Sequence, residues 1–256
     1  MRRNTLKRAS LDVLAEGGMM AAPVAMFLSA VMRSTEMRVV FAGATGAGKT
    51  TLTRACLEEL SPMCRVVTIE DTAELALFDE QRHPNVESWE ARLANAEGAG
   101  RVTLGDLVRQ GLRARPDWLV VGECRDDEAA VPMLAAMTHG QSSLTTVHSP
   151  SAREALDKLA LYLMMGGMEE PVAHQQLAMA VDYVVHVARV GRRRRVTELV
   201  EIDHVDNGRV GTNVLWSATG AQPVAMTQRR AEKLRAVGFD HRLLLTPLGT
   251  VGASGR

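Results

Sequence analysis

The chain has 256 residues, enough for one substantial core plus small appendages. Thirty Lys and Arg cancel thirty Asp and Glu, so no net field recruits nucleic acid. Its three cysteines, Cys56, Cys64 and Cys124, show no C-x-x-C spacing, which excludes a zinc or disulfide framework and suggests reduced thiols in a cytoplasmic chain.

Aromatic residues are scarce while Ala, Val, Leu and Met are plentiful, the balance of helices covering a sheet. After a basic start (Arg2, Arg3, Lys7, Arg8), residues 10–16 read as a short helix capped by Ser10 and stopped by Gly17-Gly18. The apolar run 19–32 spans 14 residues, is broken by Pro23 and Ser29, and is too short to cross a bilayer. Asp12 and Glu16 precede it, which does not suit a signal peptide. A core-packed helix over 23–33, in a soluble protein, is the expectation.

Residues 37–42 then predict a strand, and residues 50–60 a helix with Leu52, Ala55, Cys56 and Leu60 on one face. Between them stands Gly43-Ala44-Thr45-Gly46-Ala47-Gly48-Lys49-Thr50, a complete G-x-x-x-x-G-K-T loop. Glycines let successive N–H groups turn inward around phosphate oxygens. Lys49 can reach the β- and γ-phosphates, and the Thr50 hydroxyl can ligate Mg²⁺. With Thr51 at the start of the helix, this stretch predicts a nucleoside triphosphate site. No N-K-x-D guanine-reading motif is present, so ATP is the expected nucleotide.

Downstream, a strand over 64–69 ends in Glu70-Asp71, an expensive place for carboxylates unless they serve a cation or a water. Residues 76–103 read as irregular and carry Arg92 and Arg101, followed by a helix over 103–113. The strand 118–121 leads into Gly122-Glu123, an acid placed to hold Mg²⁺ or orient an attacking water. A helix over 126–137 precedes the strand 143–147, which closes on His148. Glu70, Glu123 and His148 should therefore share one sheet edge, where ligands collect in open α/β folds. Two apolar helices (152–165 and 171–182) lead to strands 183–188 and 196–202, paired as a hairpin whose turn holds Arg192 to Arg195 as a solvated charge run. A short helix near 229–237 and a Gly/Ser/Thr tail end the chain.

The loop, VVTIED (66–71), LRARPDWLVVGECR (112–125), SSLTTVHS (142–149), AVDYVVHVARV (180–190) and RRVTELVEI (194–202) together resemble the secretion ATPases of type II and type IV systems. The tight-adherence (CpaF-like) branch looks nearest. The resemblance implies an α/β, RecA-like P-loop core with a mainly parallel central sheet flanked by helices, a C-terminal β-hairpin and a short helical tail. It implies linker helices over 1–35, the ATPase domain over 36–216 and a C-terminal helix with flexible tail over 217–256. It also implies that Glu70 and Glu123 share Mg²⁺ and water positioning, with Glu123 polarising the water. His148 would sense the γ-phosphate, and Arg113, Arg115 or Arg125 would stabilise charge. Family members typically form hexameric rings against a platform protein at the cytoplasmic face of the inner membrane, and no nucleic-acid partner is expected. Members normally carry a sizeable N-terminal domain, whereas here the loop begins at residue 43. A nucleotide-binding assembly subunit without turnover is therefore the alternative to a motor, ahead of a RecA-like nucleic-acid motor.

Overall fold

A computed structural model describes residues 10–34 and 36–245; the basic start of the chain and the tail beyond residue 245 lie outside the described residues. Helices α1 (Leu11–Glu16) and α2 (Ala22–Arg33) come first. Ser10 caps α1 by accepting from the Val13 amide, and Pro23 sits in the first turn of α2, where its missing N–H costs nothing. Strand β1 (Arg38–Ala42) runs through the glycine loop into α3 (Lys49–Leu57). Then follow β2 (Val66–Glu70), β3 (Val86–Glu90), α4 (Leu104–Gly111), β4 (Trp118–Val121), α5 (Asp127–Thr138) and β5 (Ser143–Val147). The chain continues through α6 (Ala152–Met165), α7 (Glu170–Ala180), β6 (Tyr183–Val190), β7 (Arg193–Asp206), β8 (Arg209–Ser217) and α8 (Gln228–Ala236).

These strands form one sheet of eight in the order β3-β2-β4-β5-β1-β6-β7-β8. Neighbours from β3 to β6 pair in parallel, while β7 and β8 add antiparallel. The fold is thus α/β with a mostly parallel central sheet, as the sequence pattern predicts. Period-two alternation on β1 shows how it is covered. Val39 and Phe41 join the apolar cluster of α1, α2, α3 and α8, whereas Val40 and Ala42 join that of α4 to α7. Phe27 of α2 is fully buried, edge-on to Tyr183 at 4.9 Å and to Phe239 at 5.8 Å between ring centroids. The apolar run 19–32 is therefore core, and no helix among the described residues is long and apolar enough to cross a membrane. Burial pushes the Cys64 and Cys124 thiols up to about 12, so both sulfurs act as filler.

Helix α8 is fixed by charge rather than by apolar contact alone. Arg230 donates to Asp182 at 2.9 Å and lies 3.2 Å from Glu201, and Asp182 also accepts from Arg38 at 2.7 Å. Glu201, fully buried, takes the Thr227 hydroxyl at 2.6 Å.

Three expectations need correction. The stretch read as irregular contains β3, an edge strand whose half-exposed face hides its apolar signal. The C-terminal hairpin is a three-stranded meander, because Asn207 (φ 49) and Gly208 (φ 75) make a tight turn between β7 and β8. Of the four arginines read as a solvated turn, only Arg192 lies there; Arg193 to Arg195 begin β7.

Candidate functional site

The glycine loop leaves the carboxyl end of β1 at the centre of the sheet. Its conformation is set by close packing. A Cβ at Gly43 would fall 2.2 Å from the Val187 carbonyl of β6, so only glycine lets the loop start there. Gly48 caps α3 in the left-handed region (φ 109), which turns the following amides toward one cavity of about 480 Å³.

Thr45, Gly46, Gly48, Lys49, Thr50 and Thr51 face this cavity. The other loop members act indirectly: Gly43 and Ala44 supply carbonyls, and Ala47 is buried in the core. The Lys49 ammonium donates to Gly43 O at 2.8 Å and Ala44 O at 3.3 Å. Burial pulls its pKa down, the Glu123 charge opposes this, and the Lys158 charge adds to it.

The neighbouring strands bring the remaining chemistry to the same edge. Glu123 follows β4 and His148 follows β5, and Glu123 Oε1 meets His148 Nε2 at 3.0 Å. His148 Nδ1 lies 3.4 Å from both Lys49 Nζ and Thr45 Oγ1. A carboxylate on Nε2 and donors on Nδ1 assign the proton to Nε2, leaving Nδ1 as the acceptor facing the loop. Lys158 holds the His148 carbonyl at 2.9 Å, and Thr146 Oγ1 donates to Gly122 O at 2.8 Å, tying the two strand ends together.

Glu70 lines the cavity from β2, but its carboxylate is already engaged. Oε1 accepts the Glu74 and Leu75 amides, each at 3.1 Å, so Glu70 folds the loop that follows it over the site. Burial raises its pKa, with those two amides opposing the rise. Thr50, Glu123 and Glu70 offer only oxygen donors, a set that suits Mg²⁺. Among the described residues no group of three or more His, Cys, Asp or Glu could hold a metal by itself.

The three candidate arginines are elsewhere. Arg125 is exposed and does not itself line the cavity, but it pairs at 3.0 Å with Asp71, which does. Arg113 and Arg115 are exposed and precede the amino end of β4, opposite the end that leads to Glu123. A single chain does not bring either of them to the loop. Sequence reasoning missed Arg194, whose Nε donates to Gly46 O at 3.0 Å and whose side chain lines the cavity. Only the run of arginines marked it.

Residues 1–237 match the family described as "Type II/IV secretion system protein". The chain belongs to this family. A putative conjugal transfer protein of Mycobacterium tuberculosis is 41% identical over 198 residues, 77% of this chain and 54% of that protein. The type IV secretion system protein VirB11 of Brucella suis is 34% identical over 184 residues, 68% of this chain and 50% of its own length. The chain thus spans about half the length of the curated relatives it matches. Among solved structures, the VirB11 ATPase from the Brucella suis type IV secretion system, in complex with sulphate, superposes with a TM-score of 0.60 at 30% identity, over 75% of this chain and 56% of that one. The Legionella pneumophila ATPase DotB shares the fold, with a TM-score of 0.56 at 23% identity over 72% of this chain and 50% of that one. In this chain the site described above sits at the carboxyl edge of the parallel part of the sheet.

Proposed function

We propose that this chain binds Mg-ATP in the loop cavity and hydrolyses it as the motor unit of a type II/IV secretion system. The main support is the convergence of Lys49, Thr50, Glu123 and His148 on one cavity at the start of α3. The loop amides cradle the β-phosphate, and Lys49 moves from the Gly43 and Ala44 carbonyls to phosphate oxygens. Glu123 orients the attacking water, held in place by His148 Nε2, while His148 Nδ1 accepts from Lys49 and so steadies that ammonium on the γ-phosphate side of the loop. Water oxygen bonds to the γ-phosphorus as the bond to the β,γ-bridging oxygen breaks, giving ADP and inorganic phosphate. Thr50 and Glu123, with Glu70 nearby, would hold Mg²⁺, which would supply neutralising charge on the phosphate oxygens. Glu70 serves chiefly as a latch for the loop over residues 71–75.

The sequence blocks favour the tight-adherence branch, while the relatives' names point to conjugal transfer and type IV secretion; both call for a motor that moves macromolecules. In this reading the unit works in a homo-oligomeric ring, at a hexameric count, against the cytoplasmic part of a membrane platform protein. Arg113, Arg115 and Arg125 are on the surface, available to a neighbouring copy. The test is phosphate release from Mg-ATP by wild type, Glu123→Gln and Lys49→Ala. Glu123→Gln should lose about 10²–10⁴ of the rate while still binding nucleotide, and Lys49→Ala should lose both. A wild-type rate in Lys49→Ala would overturn the assignment.

A further inference from the structure

The tip of the β6–β7 hairpin carries Arg189, Arg192, Arg193, Arg194 and Arg195, a charge cluster that the proposed hydrolysis does not use. Arg194 differs from the others. Its Nε reaches Gly46 O at 3.0 Å, and its Cδ lies 3.1 Å from where a Gly48 Cβ would stand, so the side chain lies along the phosphate loop. The guanidinium lines the cavity and has no carboxylate partner among the described residues. An arginine fork left unpaired beside inward-turned amides is the chemistry that recognises phosphate oxygens bidentately.

Strand order says which phosphates. On one side of β1 stand β5 and β4, which deliver His148 and Glu123; on the other stand β6 and β7, which deliver Arg194. Ala42 is level with His186, and the hairpin continues past that level to the Arg189–Arg194 pair, which raises Arg194 to the loop. A phosphate chain with its γ end against Glu123 and His148 therefore presents its α and β phosphates to Arg194.

We infer that Arg194 binds the α- and β-phosphates of the nucleotide within the same chain, reading diphosphate and triphosphate alike. This rests on the nucleotide reading above and deepens it. The hairpin is then part of the binding site, and the run of arginines is its sequence signature.

Direct binding of ADP and of a non-hydrolysable ATP analogue, each with Mg²⁺, tests the inference in wild type, Arg194→Met and Arg194→Lys. Melting temperatures of the unliganded proteins verify folding. Methionine keeps the packing along Gly48 and removes the charge; lysine keeps the charge and loses the Nε contact to Gly46. Arg194→Met should weaken both nucleotides by about tenfold and by equal factors, and Arg194→Lys should recover most of the loss. Unchanged affinities in Arg194→Met would overturn the inference, as would a loss confined to the triphosphate. Equal losses in both variants would also overturn it, because they would make Arg194 a brace for the loop. A wild-type protein that binds neither nucleotide would instead overturn the nucleotide reading, and this inference with it.

Discussion

Replacing Lys49 by methionine separates the stability of the loop from its function. Lys49 is 7% exposed, and its ammonium is held by the Gly43 and Ala44 carbonyls beside His148 Nδ1. Its pKa is depressed by burial, so the unfolded chain binds the proton more tightly than the folded one. The charged side chain therefore costs stability at pH 7, and the cost fades as pH rises through the folded pKa toward the ordinary 10.5. Methionine keeps the stem and removes the cost. The short carbonyl contact to Gly43 that it loses contributes about 1.5–3 kcal/mol, and the long one to Ala44 little, against several kcal/mol of desolvation. The net gain of order 1 kcal/mol raises the melting temperature of the unliganded protein by about 2–4 °C for a chain of this size.

Ligand reverses the order. At a hundredfold excess over Kd, Mg-ADP stabilises by about 2.7 kcal/mol, or roughly 5–10 °C in the wild type. If Lys49 contributes a hundredfold to affinity, Lys49→Met at the same concentration should shift by only about 1 °C. Differential scanning calorimetry with and without Mg-ADP, repeated from pH 7 to pH 10, reads both effects. A variant that keeps the full ligand shift, or that melts several degrees below wild type without ligand, would refute the reasoning.

Other substitutions probe other parts of the structure. Gly43→Ala drives a Cβ to within 2.2 Å of the Val187 carbonyl, so it should cost about 1–3 kcal/mol by urea denaturation and weaken nucleotide binding as the loop leaves β6; unchanged values for both would contradict the packing. Arg230→Met strands the buried Asp182 and Glu201 carboxylates and should cost about 3–5 kcal/mol in the same assay. A cost below about 1 kcal/mol would mean that Arg38 and Thr227 suffice for those acids. Glu70 has its carboxyl pKa raised by burial, so its stabilising contribution is complete below the ordinary 4.5 and is lost as pH rises through the folded value. The melting temperature of Glu70→Gln relative to wild type should therefore climb across that window, and a difference independent of pH would exclude the burial argument.

Much of the site is legible in the sequence because it depends on spacing along single segments. The glycine loop fixes its own geometry, and the buried parallel strands β2 and β4 are mainly apolar runs that lead into Glu70 and Glu123, while β5, buried but rich in Ser and Thr, leads into His148. What is hidden depends on contacts between segments. Strand β3 lies at the sheet edge with a polar face, so it carries no apolar run. The engagement of Glu70 with the amides of residues 74 and 75 is invisible until the loop folds back. Arg194 becomes a cavity residue only because β6 and β7 extend past the level of the loop, whereas Arg113 and Arg115 fall at the wrong end of β4 despite their closeness in sequence to Glu123. The Asn207-Gly208 turn, by contrast, was readable and marks the third strand of the meander.

The most direct measurement is steady-state ATP hydrolysis by the wild-type protein across a range of concentrations, with molecular mass taken by light scattering on the same samples. A motor unit predicts Mg²⁺-dependent phosphate release that rises as the chain assembles into rings. Normal nucleotide affinity with no turnover at any concentration would contradict it and leave a binding subunit in its place.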